Sequence, residues 1–252
     1  MMTSDNGLVP DWPAPEHVKA VITLRTGLGV GGISQGAYAD FNLATHVGDE
    51  PQQVLSNRQL LTTQLNLPSE PVWLEQVHSQ EVVRAEDAQG RLVKADAAYT
   101  SQNQLPCVVM TADCLPLLVT DIQGRCVAAI HAGWRGLAEG IIKTTLDKLP
   151  VENKELLVWL GPAIGPQAYE VGDDVRQAFM QRDSNASKAF AQVDEAHWLM
   201  DIYQLARQQL KQLGVQQIFG GEYCTYSDET RFYSFRRDQV TGRMASIIWL
   251  DL

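Results

Sequence analysis

Several features that would define a function class are scarce in this sequence. Only four cysteines occur in 252 residues, so the chain lacks the dense disulfide framework of a small secreted protein. No stretch approaches the roughly 20 apolar residues that a membrane-spanning helix needs. The N-terminal residues also lack a basic start followed by an apolar run, so we expect no signal peptide and a cytoplasmic protein.

Basic residues are scarce relative to acidic ones. The chain contains 20 Lys and Arg residues and 30 Asp and Glu residues, which gives a formal net charge of −10. Nucleic-acid-binding proteins usually show the reverse balance, because affinity for the phosphate backbone depends on Lys and Arg. We therefore expect neither a nucleic-acid partner nor a membrane partner. Hydrophobic residues make up 45% of the chain, a fraction that is typical of a globular protein.

The N-terminal segment is rich in proline and polar residues, which predicts a flexible, exposed arm over residues 1–17. No linker divides the rest of the chain, so we expect a single domain over residues 18–252. Apolar β-rich runs predict strands at 18–25, 105–114, 115–121, 125–131 and 155–161. Helices are predicted from residue 49 to about 67, near 137–149 and over 201–214. Because strands and helices do not alternate strictly, we expect a mixed α/β (α+β) fold with mixed sheets flanked by helices, not a Rossmann fold.

Histidine is also scarce, with five residues, and two of them lie in distinctive segments. His78 in EQVHS, Cys114 in TADCLPLL and His131 in HAGWRG together form a candidate zinc site, since imidazole and thiolate are preferred zinc ligands. Three protein ligands would leave the fourth tetrahedral position open, as in catalytic sites. Taken singly, each residue has an ordinary alternative, a surface or core histidine or a buried inert thiol.

Five segments resemble the YfiH family, namely QVHS, TADCLPLL, HAGWRG, GPAIGPQAYEVGDDV and FRRDQVTGRMA. The similarity also includes GGISQGAYADFNLATHVGDEP and runs from about Val18 to the C-terminus. Members of the family have been called multicopper polyphenol oxidoreductases, laccase-domain proteins, purine nucleoside phosphorylases and peptidoglycan editing factors. The resemblance implies zinc ligation by His78, Cys114 and His131. It also implies a four-layer mixed β-sandwich flanked by helices, similar to a cytotoxic necrotizing factor-like fold.

The resemblance further implies phosphorolysis of adenosine, inosine and methylthioadenosine, together with deamination of adenosine. Zinc suits deamination because it activates water near neutral pH. A four-copper laccase centre is excluded, because it would need more histidines than the five present. A single copper ion in place of zinc at the same ligands stays open, as does the choice between a monomer and a homodimer.

Polar residues near these segments complete the predicted site. Arginines are natural phosphate ligands, and Arg135 comes first because it lies four residues after His131; a structural ion pair is its alternative. Further candidates for binding nucleoside or phosphate are Ser34, Asn42, His46, Gln76, Arg25 and Arg236, with Arg58 and Arg237 as additional arginines. Asp96 is a further carboxylate candidate. Asp113 is expected to point away from Cys114, because neighbouring side chains in a continuous strand face opposite sides.

Two other functions stay open at this point. Cys114 and His131 could form the thiolate–imidazole pair of a metal-independent cysteine hydrolase. Alternatively, the chain is a peptidoglycan-editing or regulatory protein whose metal is structural. The open coordination position argues against this second alternative, because structural zinc sites usually have four protein ligands.

Overall fold

The most continuous apolar runs of the sequence form the strands at the centre of the fold. The computed structural model describes residues 7–29 and 31–251. The strands are β1 Val18–Ile22, β2 Leu74–Glu75, β3 Val82–Arg84, β4 Val93–Lys94, β5 Ala97–Thr100, β6 Cys107–Thr111, β7 Leu115–Asp121, β8 Val127–Ala132, β9 Leu156–Leu160, β10 Glu170–Gly172, β11 Phe190–Gln192, β12 His197–Met200, β13 Gln217–Gly220 and β14 Met244–Leu250. The helices are α1 Pro51–Gln64, α2 Ala85–Ala88, α3 Trp134–Glu139, α4 Ile141–Leu146, α5 Asp173–Met180, α6 Ile202–Gln212 and α7 Phe235–Asp238.

A mixed six-stranded sheet and an antiparallel three-stranded sheet are the two main sheets. The six-stranded sheet has the order β13-β9-β7-β8-β5-β3, with β7 antiparallel to β8 and β9 and with β13 parallel to β9. The three-stranded sheet has the order β1-β14-β6, and both of its pairings are antiparallel. Strands β10, β12 and β11 form a second antiparallel three-stranded sheet, and β2 pairs with β4.

The two main sheets and the helices on either side form four layers. Side chains of β7 alternate between its two faces, so Leu117 packs toward α4 and α6 whereas Leu118 packs toward the three-stranded sheet. The outer face of the three-stranded sheet packs against Leu61 of α1. Every residue of β7 is buried, which explains its continuous apolar run. The predicted mixed α/β sandwich flanked by helices is confirmed.

Two predicted helices have different bounds in the structure. The first, predicted from residue 49 to about 67, is α1, which begins at Pro51 and ends at Gln64. Proline is tolerated at the first helical position, because the N–H that it lacks would have no partner within the helix. The segment near 137–149 forms two short helices instead of one. They are separated by Gly140, whose φ of 101° lies in the left-handed region and ends α3. Within the described ranges, no helix is long and apolar enough to cross a membrane.

The predicted N-terminal arm packs on the domain from Gly7 onward. Leu8 is buried, and its backbone N–H and C=O exchange hydrogen bonds with Ile22 at 2.9 and 2.8 Å. His17 lies 3.1 Å from the Gly124 carbonyl oxygen through its Nε2. The segment is therefore not exposed throughout: the Leu8 side chain and its backbone pairing hold it against the domain, whereas Val9, Asp11, Pro13 and Glu16 are exposed. Residues 1–6 of the predicted arm lie outside the described residues.

Candidate active site

The three predicted metal ligands come from three segments and meet near the start of β7. Cys114 immediately precedes β7, His131 lies opposite Pro116 in the β7–β8 pairing, and His78 follows β2. Their ligand atoms all lie within 4.8 Å of one another, and Cys114 Sγ is 3.7 Å from His78 Nε2. In the described part of the chain, no other group of three His, Cys, Asp or Glu residues has this arrangement.

Asp96 connects two of the three ligands. Its Oδ1 lies 2.7 Å from His131 Nδ1 and accepts the backbone N–H of His78 at 3.0 Å. Its Oδ2 accepts the backbone N–H and the hydroxyl of Ser79 at 2.7 and 2.8 Å. Burial alone would raise the pKa of Asp96, but the hydrogen bonds from His131 and Ser79 lower it to about 2. The ionised carboxylate thus fixes the ring of His131 with Nε2 as the nitrogen available for a metal.

Asp113 does not point away from Cys114 as the sequence predicted. The φ of Asp113 is 94°, so the backbone leaves the extended conformation between β6 and β7 and the strand alternation is interrupted there. The buried carboxylate accepts the Thr225 hydroxyl and the Arg236 backbone N–H, both at 2.6 Å. As a result Asp113 and Cys114 line the same cavity.

The glycines of HAGWRG provide space for the His78 segment. A Cβ atom on Gly133 would lie 2.7 Å from His78 Cδ2 and 3.2 Å from Cys114 Sγ. A Cβ atom on Gly136 would lie 2.5 Å from the Ser79 carbonyl oxygen. Side chains at both positions would therefore push His78 out of place. The HAGWRG motif thus contains the candidate ligand His131 and also the glycines that leave space for the candidate ligand His78.

Cys114 and His131 stabilise each other's charged forms. Burial would raise the pKa of the Cys114 thiol, but the imidazoles of His131 and His78 lower it overall. Burial would lower the pKa of His131, but the nearby thiolate and the Asp96 carboxylate raise it overall. The site therefore favours a thiolate, which is the form of cysteine that binds metals and acts as a nucleophile.

A cavity of about 270 Å³ opens beside the three ligands. Its lining includes the predicted substrate-binding residues His46, Gln76 and Arg236, and it also contains side chains that the sequence analysis did not select. The lining consists of His46, Gln76, His78, Met110, Thr111, Ala112, Asp113, Cys114, His131, Ile164, Tyr169, Phe235, Arg236 and Arg243. The amide of Gln76 exchanges hydrogen bonds of 2.8 and 2.7 Å with the backbone of Met110, so it is occupied in holding β6.

Arg243 and Tyr169 are cavity residues that sequence reasoning missed. Both stand in segments that match the family, FRRDQVTGRMA and GPAIGPQAYEVGDDV, so the signal was present but did not single them out. Tyr169 is buried, and the Arg236 guanidinium lies 5.3 Å from its ring centroid. Burial raises the pKa of Tyr169, which keeps its hydroxyl protonated at neutral pH.

Several residues predicted to bind nucleoside or phosphate do not line this cavity, namely Arg25, Ser34, Asn42, Arg58, Arg135 and Arg237. Ser34 donates to Asp49 at 2.6 Å, and Asn42 donates to the same carboxylate at 2.9 Å, so both belong to a buried hydrogen-bond network. Arg25 donates to the Glu229 carbonyl at 2.9 Å. Arg135 is exposed, and its guanidinium lies 4.5 Å from the Trp134 ring centroid. The geometry gives Ser34 and Asn42 a structural role, because their polar atoms are satisfied within the protein.

Comparison with known proteins identifies the family. Residues 19–251 match the family model described as multi-copper polyphenol oxidoreductase laccase. The chain belongs to this family. An Escherichia coli protein named purine nucleoside phosphorylase YfiH is 49% identical over 243 residues, which cover 96% of this chain and 98% of the relative. A Pseudomonas aeruginosa protein with a purine nucleoside phosphorylase name is 48% identical over 97% of this chain and 98% of its own length.

Solved structures of related proteins have the same fold. A Neisseria meningitidis protein is 47% identical and superposes with a TM-score of 0.94, over 98% of this chain and 100% of that protein. The Bacillus licheniformis YfiH protein is 29% identical and superposes with a TM-score of 0.85, over 92% of each chain. These matches confirm the resemblance to the YfiH family that the motifs indicated.

The copper in the family description can be compared with the donor set of this member. His17 and His197 contact Gly124 and Asp194 respectively and do not join the cluster around Cys114. Two imidazoles and one thiolate beside a cavity fit a single zinc ion, and the Asp96 carboxylate orients the His131 ring. The same ligands would also accept one copper ion.

Proposed function

We propose that this chain is a zinc-dependent purine nucleoside phosphorylase that also deaminates adenosine. The observation that carries the proposal is the group of His78, Cys114 and His131 beside a cavity that also contains arginine and aromatic side chains. The names of the Escherichia coli and Pseudomonas aeruginosa relatives support the purine nucleoside substrate class. Adenosine, inosine and methylthioadenosine are the proposed substrates.

Both reactions balance with phosphate or water as the second substrate. In phosphorolysis, the bond between C1′ of the ribose and the purine nitrogen breaks, and its electron pair leaves with the base. A phosphate oxygen bonds to C1′, and the base takes up a proton, which yields free base and ribose 1-phosphate. In deamination, water replaces the amino group at C6 of adenosine, which yields inosine and ammonia.

Different residues around the cavity can serve different parts of these two reactions. His78, Cys114 and His131 would hold zinc, which when bound supplies a Lewis acid and lowers the pKa of coordinated water. Tyr169 and Phe235 present aromatic surface for stacking on a purine. Burial, followed by the charges of Arg243 and Arg58, lowers the pKa of His46. His46 is therefore neutral at pH 7 and can accept a proton or a hydrogen bond from the nucleoside.

The test is to incubate zinc-loaded protein with adenosine, with and without phosphate, and to separate the products. We expect adenine and ribose 1-phosphate only with phosphate, and inosine in both samples. His78→Ala protein, checked for its fold by circular dichroism, is the control for contaminating enzymes. Absence of both products from protein verified to contain zinc would overturn the proposal.

A metal-independent cysteine hydrolase is the second candidate, and one observation favours it. Asp96, His131 and Cys114 follow one another as carboxylate, imidazole and thiol, with Asp96 2.7 Å from the His131 ring. Such an arrangement can activate a thiolate nucleophile. Nucleoside turnover that disappears on verified metal removal and returns with zinc supports the first function. Full activity in metal-free protein, lost on alkylation of Cys114, supports the second.

The remaining expectations from the sequence, which concern the metal, the location, the oligomeric state and an alternative role, stay predictions. Metal analysis of the purified protein would distinguish zinc from copper. The cytoplasmic location, the choice between monomer and homodimer, and the alternative role in peptidoglycan editing also stay predictions.

A further inference from the structure

A second cavity, of about 500 Å³, adjoins the one beside the metal ligands. Three side chains, His46, Gln76 and Met110, line both cavities and thus form the wall between them. Arg243 lines the first cavity and Arg58 lines the second. Both guanidinium groups lie close enough to His46 for their charges to lower the pKa of its imidazole.

Arg58 is a half-buried cation without a contacting anion. Its guanidinium stacks on Trp73 at 3.7 Å from the ring centroid, and its Nε donates to the Leu43 carbonyl at 2.9 Å. Its Nη2 reaches Met110 Sδ at 4.0 Å, which places it at the wall. Among the described residues, no carboxylate lies within 4.0 Å of Arg58, and its Nη1 has no hydrogen-bond partner. The Glu70 carboxylate instead accepts the Trp73 indole N–H at 2.7 Å.

Arg243, which is also near His46, is in a similar state. Its Nη1 donates to the Thr241 and Gly242 carbonyls at 3.0 Å, while its Nε and Nη2 have no partner within the described ranges. No carboxylate of the described residues lies within 4.0 Å of it. The nearby Asp113 carboxylate is already occupied by Thr225 and by the backbone of Arg236.

We infer that Arg58 and Arg243 form an oxyanion subsite at the wall between the two cavities and that its ligand is inorganic phosphate. Two partly desolvated guanidiniums gain most from an anion that accepts several N–H bonds at once, as a tetrahedral oxyanion does. His46 lies near both arginines and can donate or accept a further hydrogen bond.

Arg135, which the sequence analysis placed first among the phosphate candidates, is not part of this subsite, whereas Arg58 was one of the additional arginines. Arg135 is exposed, and a solvated cation on the surface binds anions weakly. The choice of phosphate rests on the proposed function, because phosphate is the second substrate of phosphorolysis. The position of the oxyanion rests on the two arginines alone.

Phosphate binding without nucleoside tests the inference. Inorganic phosphate is titrated into zinc-loaded full-length protein by calorimetry, and Arg58→Met and Arg243→Met should each weaken binding about 10- to 100-fold. Arg58→Lys and Arg243→Lys keep the charge but lose the planar fork, so we expect intermediate losses. Arg91→Met removes an exposed charge from the same second cavity and is the matched control. Melting temperatures without phosphate establish that each variant folds.

Two outcomes would overturn the subsite. The first is wild-type phosphate affinity in folded Arg58→Met and Arg243→Met, with or without a loss in Arg135→Met. The second is binding of adenosine monophosphate, but not of inorganic phosphate, through the same arginines, which would indicate a nucleotide site. Phosphate binding that depends on both arginines supports the subsite even if adenosine is not cleaved. Phosphorolysis with unchanged phosphate affinity in both variants would leave the proposed function in place and remove the subsite.

Discussion

Replacing Asp96 by asparagine tests how the metal centre is held together. The side chain is fully buried and accepts hydrogen bonds from the backbone of His78, from Ser79 and from the ring of His131. Asparagine keeps the shape but places an N–H₂ group where only acceptors fit. One donor therefore loses its partner, and the His131 ring loses the group that fixes its tautomer.

The expected magnitude follows from the pKa of Asp96. Its value falls from 3.8 to about 2 in the folded protein, and at 1.36 kcal/mol per unit the charged form is favoured by about 2.5 kcal/mol. Loss of that amount should lower the melting temperature by about 5–10 °C for a chain of this size. Because a carboxylate partner orients a metal-bound histidine, zinc affinity should also fall about 10- to 100-fold.

The pH dependence has a defined sign. The folded pKa of Asp96 is below its unfolded value, so its stabilisation is present above about pH 4 and is lost as the pH falls toward about 2. In metal-free protein, the difference in unfolding free energy between wild type and Asp96→Asn should therefore shrink over that interval. Urea unfolding at several pH values measures it.

Asp121→Asn is the matched control for this substitution. Asp121 is also a buried carboxylate with a lowered pKa, but it ends β7, at the opposite end of the strand from Cys114. Its loss should reduce stability and leave zinc affinity unchanged. Chelator competition with a chromogenic zinc indicator measures the affinity. Wild-type stability and zinc affinity in Asp96→Asn would refute the reasoning.

Three further predictions concern the ligands, the glycine beside them and the core. His78→Ala or His131→Ala should lower zinc content well below one per chain while circular dichroism stays unchanged; full stoichiometry in both variants would remove the site. Gly133→Ala should weaken zinc binding at least about tenfold, because the new methyl would lie 2.7 Å from His78, and unchanged affinity in the chelator assay would contradict this. Leu117→Ala should cost about 2–5 kcal/mol of unfolding free energy, since Leu117 is fully buried; denaturant unfolding with a loss under 1 kcal/mol would count against that estimate.

The sequence was sufficient to predict the central elements of the fold. Strands β7 and β8 are buried on both faces, so their apolar runs are continuous and easily recognised. Helix α6 carries a one-sided apolar pattern that ends at Gly214. The predicted helix over 137–149 was wrong in its continuity, because the left-handed conformation of Gly140 breaks it. The burial of Leu8 depends on a partner strand that local composition does not reveal.

The candidate metal ligands His78, Cys114 and His131 were likewise selected from the sequence, because few histidines are available and two stand in specific motifs, and the structure brings the three side chains together. What only the tertiary structure decided is which other groups reach them. Asp96 lies 35 residues before His131 in the sequence yet 2.7 Å from its ring, and Arg243 lies far along the chain from His46. Residue type and local spacing determine what a side chain can do chemically. The pairing of distant strands determines what it meets, since that contact is produced by packing the whole chain.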